Sequence, residues 1–487
     1  MPHVVTQSCV GDGSCVHACP VNCIQPTPDD PAFELAEMLH VDPAACVDCG
    51  ACVSACPVDA IKPHSRLDPG ERAFLAINAG YHRVPRARPL LAPVRPPLRV
   101  RRSARPLRVA IVGSGPAAMY AAEEILTIAD ARVDVYERLP VPFGLVHAGI
   151  APDHRRTRRI ARRLDAIAAD PRLRMRLGVE IGTDVTHDQL LDTHDAVIYA
   201  VGAAADRRLE VPGAALPGVA SATQLVAWYN GHPDHADRRF DLAHRRAVVI
   251  GNGNVALDVA RILTVDPETL ADTDIAPAAL AALRASQVEE VVVVGRRGPQ
   301  ESAFTLPELV GLSATPGVVV TVPAADLAGT SAADPKVDLL RTLVAGDRPG
   351  RRITLRYGLS LERVLGEEAV TGLRFDRETI DAGLVITSIG YRGMPVAGLP
   401  YDEATGTIPN ADGRVLDLTT GAPLPGTYVV GWIKRGPTGF IGTNKSCSQD
   451  TVLAMVEDHN AGRLGARRDQ PASNGPSSRR ESMPSLR

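Results

Sequence analysis

Eight of the nine cysteines in this chain fall within its first 56 residues, in two runs that share one frame. The second run reads Cys46-x-x-Cys49-x-x-Cys52-x-x-x-Cys56-Pro57. The first places Cys9, Asp12, Cys15 and Cys19-Pro20 at the same intervals, with Cys23 left over. Thiolates are soft ligands suited to iron–sulfur clusters, and this spacing lets one loop wrap three corners of a cubane. In such a run the fourth cysteine usually serves the neighbouring cluster. Cys46, Cys49 and Cys52 are therefore expected to share a [4Fe-4S] cluster with Cys19, while Cys56 crosses over to join Cys9 and Cys15. At that second site Asp12 stands where another thiolate would be, and a carboxylate holds iron less firmly. The expectation there is a [3Fe-4S] cluster, or a second [4Fe-4S] whose corner iron rests on Asp12. Cys23 is read as a non-ligand. Zinc also uses C-x2-C pairs, but both Cys-Pro steps and the x3 spacing argue against it. A secreted disulfide scaffold is disfavoured by the spacing and by the lack of a signal-peptide pattern before the cysteines.

At 487 residues the chain exceeds a single core, and about three domains are expected. Its 45% hydrophobic and 22% charged residues are ordinary for a globular, cytoplasmic enzyme. A net charge of −3 gives no case for nucleic acid. Apolar runs such as Val291–Val294 are too short to span a membrane. Composition also divides the chain. Residues 1–83 form the cysteine module, in which Phe74, Asn78 and Tyr81 suggest a short element packing back on it. From 84 to 106, Pro85, Pro89, Pro93, Pro96, Pro97 and Pro106 alternate with arginines. Prolines this dense exclude helix and sheet, so an extended, semi-rigid, solvated linker is expected. Residues 463–487 are poor in hydrophobics and expected to be disordered.

The body opens with an apolar strand, Leu107–Val112, running into Gly113-Ser-Gly115-Pro-Ala-Ala118. A helix from Ala121 to Ile128 and a strand Val133–Tyr136 ending at Glu137 are expected to follow. This is a Rossmann-like βαβ unit: the helix N-terminus takes a pyrophosphate and the acidic residue bonds ribose hydroxyls. A second unit repeats it, with Ala247–Ile250, Gly251-Asn252-Gly253-Asn254-Val255-Ala256, a helix through Asp258 to Leu263, and Val291–Val294. Here the strand ends in Gly295-Arg296-Arg297, and a forked guanidinium suits a 2′-phosphate. An acidic end at the first unit and an Arg pair at the second imply FAD and NADP(H) respectively. The fold class expected is α/β, with two Rossmann-like domains preceded by a small α+β two-cluster domain.

These residues carry a family resemblance. Val112-Gly-Ser-Gly-Pro-Ala, Val141-Pro-Phe-Gly-Leu145, Ala151-Pro-Asp-His154, Trp228-Tyr-Asn-Gly231, Gly253 to Arg261, Gly295 to Pro299 and Gly431 to Gly439 closely resemble adrenodoxin reductase and its bacterial NADPH–ferredoxin reductase relatives. The seven motifs occur in family order over roughly 107–460. The N-terminal 80 residues resemble a seven-iron bacterial ferredoxin with a shortened first loop. The whole chain is similar to the fused ferredoxin/ferredoxin–NADP reductases.

The resemblance implies FAD against Gly113, Gly115, Ala117, Glu137, Leu145, Ile181, Trp432, Gly439, Phe440 and Ile441. It implies NADP at Asn252, Gly253, Asn254, Val255, Arg296, Arg297, Glu308 and Gly439. Phe440 departs from the smaller apolar residue often found there. The implied FAD domain is discontinuous, 107–210 plus 388–462, with an NADP domain at 211–387 between. Hydride would pass from NADPH to flavin, then single electrons to the clusters and to redox partner proteins such as a ferredoxin or cytochrome P450. His154 and Asp258 are candidates for tuning flavin protonation. Cys447 has no C-x-x-C partner, which argues against a dithiol reductase and leaves it a packed thiol.

Overall fold

The computed structural model describes residues 2–84, 89–101, 105–330, 334–344 and 349–464. Part of the proline–arginine stretch (85–88 and 102–104) and the expected disorder from residue 465 onward lie outside the described residues.

The two cysteine runs fold into the same small unit twice. Each has a five-residue helix, Ser14–Ala18 or Ala51–Ala55, entered from a left-handed glycine: Gly13 at φ 73°, ψ −1°, and Gly50 at φ 76°, ψ −2°. Each ends on an extended cysteine, Cys19 at −77°, 115° and Cys56 at −77°, 118°. The following proline is the cause, since it disfavours helical backbone in the residue before it. Two antiparallel pairs flank the helices, His3–Val5 with Ile61–Pro63 and Ile24–Gln25 with His40–Val41. The helix Ala73–Tyr81 buries Phe74 and Asn78 against them. Asn78 accepts from Val5 N–H (3.1 Å) and Val41 N–H (2.9 Å), and donates to the carbonyls of Val5 and Phe74. One amide thus closes both strand pairs.

Residues 89–101 are extended but not solvated throughout. Leu98 and Val100 pack against the following domain, Arg95 pairs with Asp450 at 2.8 Å, and Asn460 brackets the backbone of Arg99 and Arg101. The apolar residues between the prolines find a surface there, which the count of prolines and arginines concealed.

The two glycine-rich turns are geometric copies. Gly113 N–H donates to Tyr136 O at 2.7 Å and Gly251 N–H to Val294 O at 2.9 Å. Gly113 at φ 96° and Gly251 at φ 110° leave no room for a Cβ, which would stand 2.5 Å from Ala200 O and 2.1 Å from Ser388 O. Each turn feeds a helix, Pro116–Leu126 and Asn254–Thr264. The first begins five residues earlier than expected, because Pro116 at the opening position and the alanines after it are helix, not turn. Both helices lie on mostly parallel sheets. One joins Leu173–Leu177, Arg132–Glu137, Arg108–Val112, Ala196–Tyr199 and Pro423–Val429 in parallel, with two short antiparallel strands beyond. The other is a six-stranded parallel sheet built from 219–387.

The cysteine module sits on both. Val10, Val58 and Ala60 belong to the core beneath the first sheet, while Val310 of the second domain is buried in the core of the module.

Candidate functional site

The repeat in the first 56 residues gathers the cysteines into two groups. Cys19, Cys46, Cys49 and Cys52 line one cavity together with Cys23, His3, Ile24 and Val41. Cys23 Sγ lies 3.4 Å from Cys19 Sγ, so the residue read as a spare stands beside this group. Burial pushes the Cys52 thiol up to about 12, and Cys46 and Cys19 add to it. The second group is Cys9, Cys15 and Cys56 with Asp12, close enough that each negative charge opposes the others. A cationic iron–sulfur core would invert this, because a coordinating thiol is deprotonated outright, and grouped thiolates are the donor set of such a cage. Asp12 is already engaged: its carboxylate accepts from the Ser14 N–H at 3.3 Å and from the Ser14 hydroxyl.

At the first dinucleotide turn, Gly115 precedes the helix Pro116–Leu126, whose first N–H groups have no capping side chain. A Cβ at Gly115 would meet nothing within 4 Å. Open space before bare helical N–H groups fits a pyrophosphate. Glu137, at the end of its strand, accepts from Ser114 N–H (3.1 Å), Ser114 Oγ (2.6 Å) and Leu139 N–H (2.9 Å). A carboxylate offers about four acceptor positions, which leaves one for a ribose hydroxyl. Ala117 is held by Ser448 Oγ, which donates to its carbonyl at 2.8 Å, and touches the Gly431–Trp432 turn. Trp432 Nε1 donates to Thr438 O at 3.1 Å, and its ring lies 5.4 Å from that of Tyr391. Leu145 opens a short helix and is 39% exposed; Ile181 forms a lone bridge with Val185.

The loop Gly439–Gly442 meets the cysteine module directly. Gly442 N–H donates to Val10 O at 2.7 Å, and a Cβ at 442 would overlap Gly11 O at 2.0 Å. Lys445 reaches Asp12 O at 3.3 Å. The Asp12-bearing group is thereby seated on the segment that carries Phe440 and Ile441.

At the second turn Gly253 likewise leaves open space before the helix Asn254–Thr264. Asn254 Oδ1 accepts from Thr305 N–H at 2.8 Å, and Asn252 O from Phe304 N–H at 2.9 Å, tying the turn to the helix Leu306–Ser313. Arg296 and Arg297 are exposed and form no ion pair with any described residue. The helix Asn254–Thr264 carries two members of a charged cluster, Asp258 and Arg261. His154 Nε2 is 3.7 Å from Asp258 Oδ1 and 4.0 Å from Glu308 Oε2. The buried Arg261 guanidinium lies 2.8 Å from Asp258 and makes a paired contact with Asp153 at 2.7 and 3.0 Å. Burial raises the Glu308 carboxyl above its usual range against the pull of His154; Asp258 adds to the rise, and Arg261 and Gln7 counter it. The ligand atoms of His154, Asp258 and Glu308 lie within 4.8 Å of one another, and the Arg261 guanidinium already supplies a positive charge beside Asp258. The Tyr229 hydroxyl beside this cluster is buried without a hydrogen-bond partner among the described residues.

Residues 107–297 match the pyridine nucleotide-disulphide oxidoreductase family and residues 8–60 the 4Fe-4S dicluster domain. The probable ferredoxin/ferredoxin–NADP reductase of Mycobacterium tuberculosis is 56% identical over 490 residues, spanning 95% of this chain and 85% of that protein. That of Mycobacterium leprae is 54% identical over 95% of this chain and 87% of its own length. This chain belongs to the ferredoxin/ferredoxin–NADP reductase family. Among solved structures, Mycobacterium tuberculosis FprA in complex with NADPH is similar at 42% identity, covering 74% of this chain and 87% of that one, with a TM-score of 0.70.

In this reductase-family frame the sequence motifs fall into three sets: two thiol groups, two glycine-rich turns, and the His154 cluster against the helix that the second turn opens. Sequence reading missed the residues that join them. Gln7, Val10, Gly311, Gly442 and Lys445 have no motif of their own, and they join positions 301 to 433 residues apart in the chain. Arg261 lies within the Gly253–Arg261 motif, and a cation among the apolar residues of that helix is the signal by which it could be found.

Proposed function

We propose that the chain is an NADPH–ferredoxin oxidoreductase whose first acceptor is its own N-terminal module. The units are drawn at 1–83 for the iron–sulfur module, 84–106 for the linker, 107–210 with 388–462 for FAD, and 211–387 for NADP. Gly113, Gly115, Ala117, Glu137, Leu145, Ile181, Trp432, Gly439, Phe440 and Ile441 would hold FAD. Asn252, Gly253, Asn254, Val255, Arg296, Arg297 and Glu308 would hold NADPH, with Gly439 shared. When bound, these groups supply hydride acceptance at the flavin and one-electron uptake at the clusters; the protein supplies orientation and tuning. Arg296 and Arg297 select the 2′-phosphate. His154 and Asp258, with the Arg261 guanidinium against Asp258, would tune flavin protonation.

The observation that carries this reading is the bond from Gly442 N–H to Val10 O, because it seats the Cys9–Asp12–Cys15–Cys56 group against the loop assigned to the flavin. A three-iron cluster, or a [4Fe-4S] whose corner iron rests on Asp12, is proposed there, since the donors are three thiols and a carboxylate that already accepts from Ser14. A [4Fe-4S] cluster is proposed at Cys19, Cys46, Cys49 and Cys52. The exposed Cys49 is the point where an external acceptor, a ferredoxin or a cytochrome P450, would approach. A cytoplasmic location completes the proposal.

An anaerobic titration of the holoprotein with NADPH tests it. Flavin absorbance should bleach, and electron paramagnetic resonance should show reduced clusters without any added protein. Protein containing zinc and no iron, or flavin that NADPH does not bleach, would overturn the reading.

A further inference from the structure

The helix Leu306–Ser313 serves both halves of the molecule. Its Leu306 N–H donates to Glu37 Oε2 of the iron–sulfur module at 2.8 Å, and Val310 is buried among the module's own core residues. The same helix carries Glu308, whose carboxylate faces His154. Gln7 lies across the helix at Gly311, so close that a Cβ there would meet its Oε1 at 2.1 Å and its Nε2 at 2.3 Å. From that slot Gln7 Nε2 donates to Glu308 Oε2 at 2.7 Å. Among the described residues this is the hydrogen bond that fixes the Glu308 carboxylate; its charged neighbours, His154, Asp258 and Arg261, act at longer range.

We propose that Gln7 is a positioning residue of the NADPH pocket, so that the iron–sulfur module completes the nucleotide site of the reductase half. The proposal rests on the reading of Glu308 as a nucleotide contact. A half-buried carboxylate held by one amide has a defined rotamer; released, it has several. Gly311 is the permissive residue, since any side chain there expels the amide. Linkage then works in both directions: a docked module tightens nucleotide binding, and bound nucleotide tightens docking by the same factor.

The test uses the full-length holoprotein and NADP+, followed by the flavin difference spectrum, together with ferricyanide reduction, which draws on the flavin. Gln7→Met keeps the slot filled without a donor, and Gly311→Ala wedges Gln7 out while leaving both partners present. Both should raise the Kd for NADP+ and the KM for NADPH roughly three- to tenfold, a fraction of what losing a hydrogen bond to a charge costs outright. The kcat for ferricyanide should stay within about twofold, which a general loss of structure would not allow. Glu308→Gln should weaken binding as much or more, and Gln7→Met should add little in that background, as expected of coupled residues. Unchanged affinity in Gln7→Met and Gly311→Ala, with weakened affinity in Glu308→Gln, would reduce Gln7 to a packing contact and overturn the inference alone. Unchanged affinity in Glu308→Gln would overturn it through the assignment of Glu308. A wild-type protein that NADPH cannot reduce would remove the functional reading beneath both.

Discussion

Asp12 is where the two cysteine sites part company. Its counterpart in the repeat is Cys49, and the surrounding backbone is nearly identical, so one substitution should convert one site toward the other. With the proposed three-iron cluster, Asp12→Cys is expected to convert that site toward a stable [4Fe-4S] form, and iron analysis should rise accordingly. Cys49→Ala should lose the [4Fe-4S] signal. Cys23→Ala is the sharper variant, because its sulfur stands 3.4 Å from that of Cys19; as a non-ligand it should leave both signals intact. Loss of either would make it a ligand. The nucleotide side has its own single-residue test. Arg296 and Arg297, exposed and without ion pairs among the described residues, can bond a 2′-phosphate only when one is present. Removing both should weaken NADPH binding by about ten- to a hundredfold, at roughly 1.5–3 kcal/mol for a charge-assisted contact. NADH binding should change little, and an unaltered preference between the two would clear the arginines of the role.

Elements were legible where the sequence repeats itself. The glycine-rich turns prescribe two strand–turn–helix units; in the cysteine runs, glycine before and Cys-Pro after mark the ends of two short helices that the cysteine spacing alone did not announce. Helix starts were less legible, as at Pro116, because alanine after a glycine-rich turn reads equally well as turn or helix. The helix Ala73–Tyr81 shows how much one polar residue can hold together. Asn78 is buried, and its amide satisfies groups on two strands and on its own helix. Replacement by alanine strands at least two buried backbone groups, each worth about 1–3 kcal/mol, so Asn78→Ala should destabilise the iron–sulfur module by about 2–6 kcal/mol. Thermal bleaching of the cluster absorbance should come at lower temperature, while the flavin is released as in the parent protein. A simultaneous fall of both transitions would mean that the halves unfold as one cooperative unit.

The arrangement of the whole molecule was the least legible, for a physical reason. Contacts such as Gln7 with Glu308 and Lys445 with Asp12 join residues 301 and 433 positions apart, through single polar atoms and small residues that have no periodicity. The ion pairs along this seam are partly exposed: Arg156 with Glu71, Arg159 with Asp59, and Lys336 with Glu37. Such pairs contribute about 0–1 kcal/mol each and are screened by salt. The apolar part, Val10, Val58 and Ala60 on one side and Val310 on the other, is not screened. Docking should therefore survive about 1 M salt, where the screening length falls to about 3 Å. A module already seated beside its electron source also needs no encounter, unlike a partner that must diffuse even at the high effective concentration of a short tether. Cluster reduction by NADPH in the intact chain should consequently follow a rate constant independent of protein concentration and nearly independent of salt. A truncated chain starting near Leu107 should still reduce ferricyanide but reduce cytochrome c poorly unless a ferredoxin is supplied. A stopped-flow rate that climbs in proportion to protein concentration would mean that electrons pass between molecules, and the seam would then be structural only.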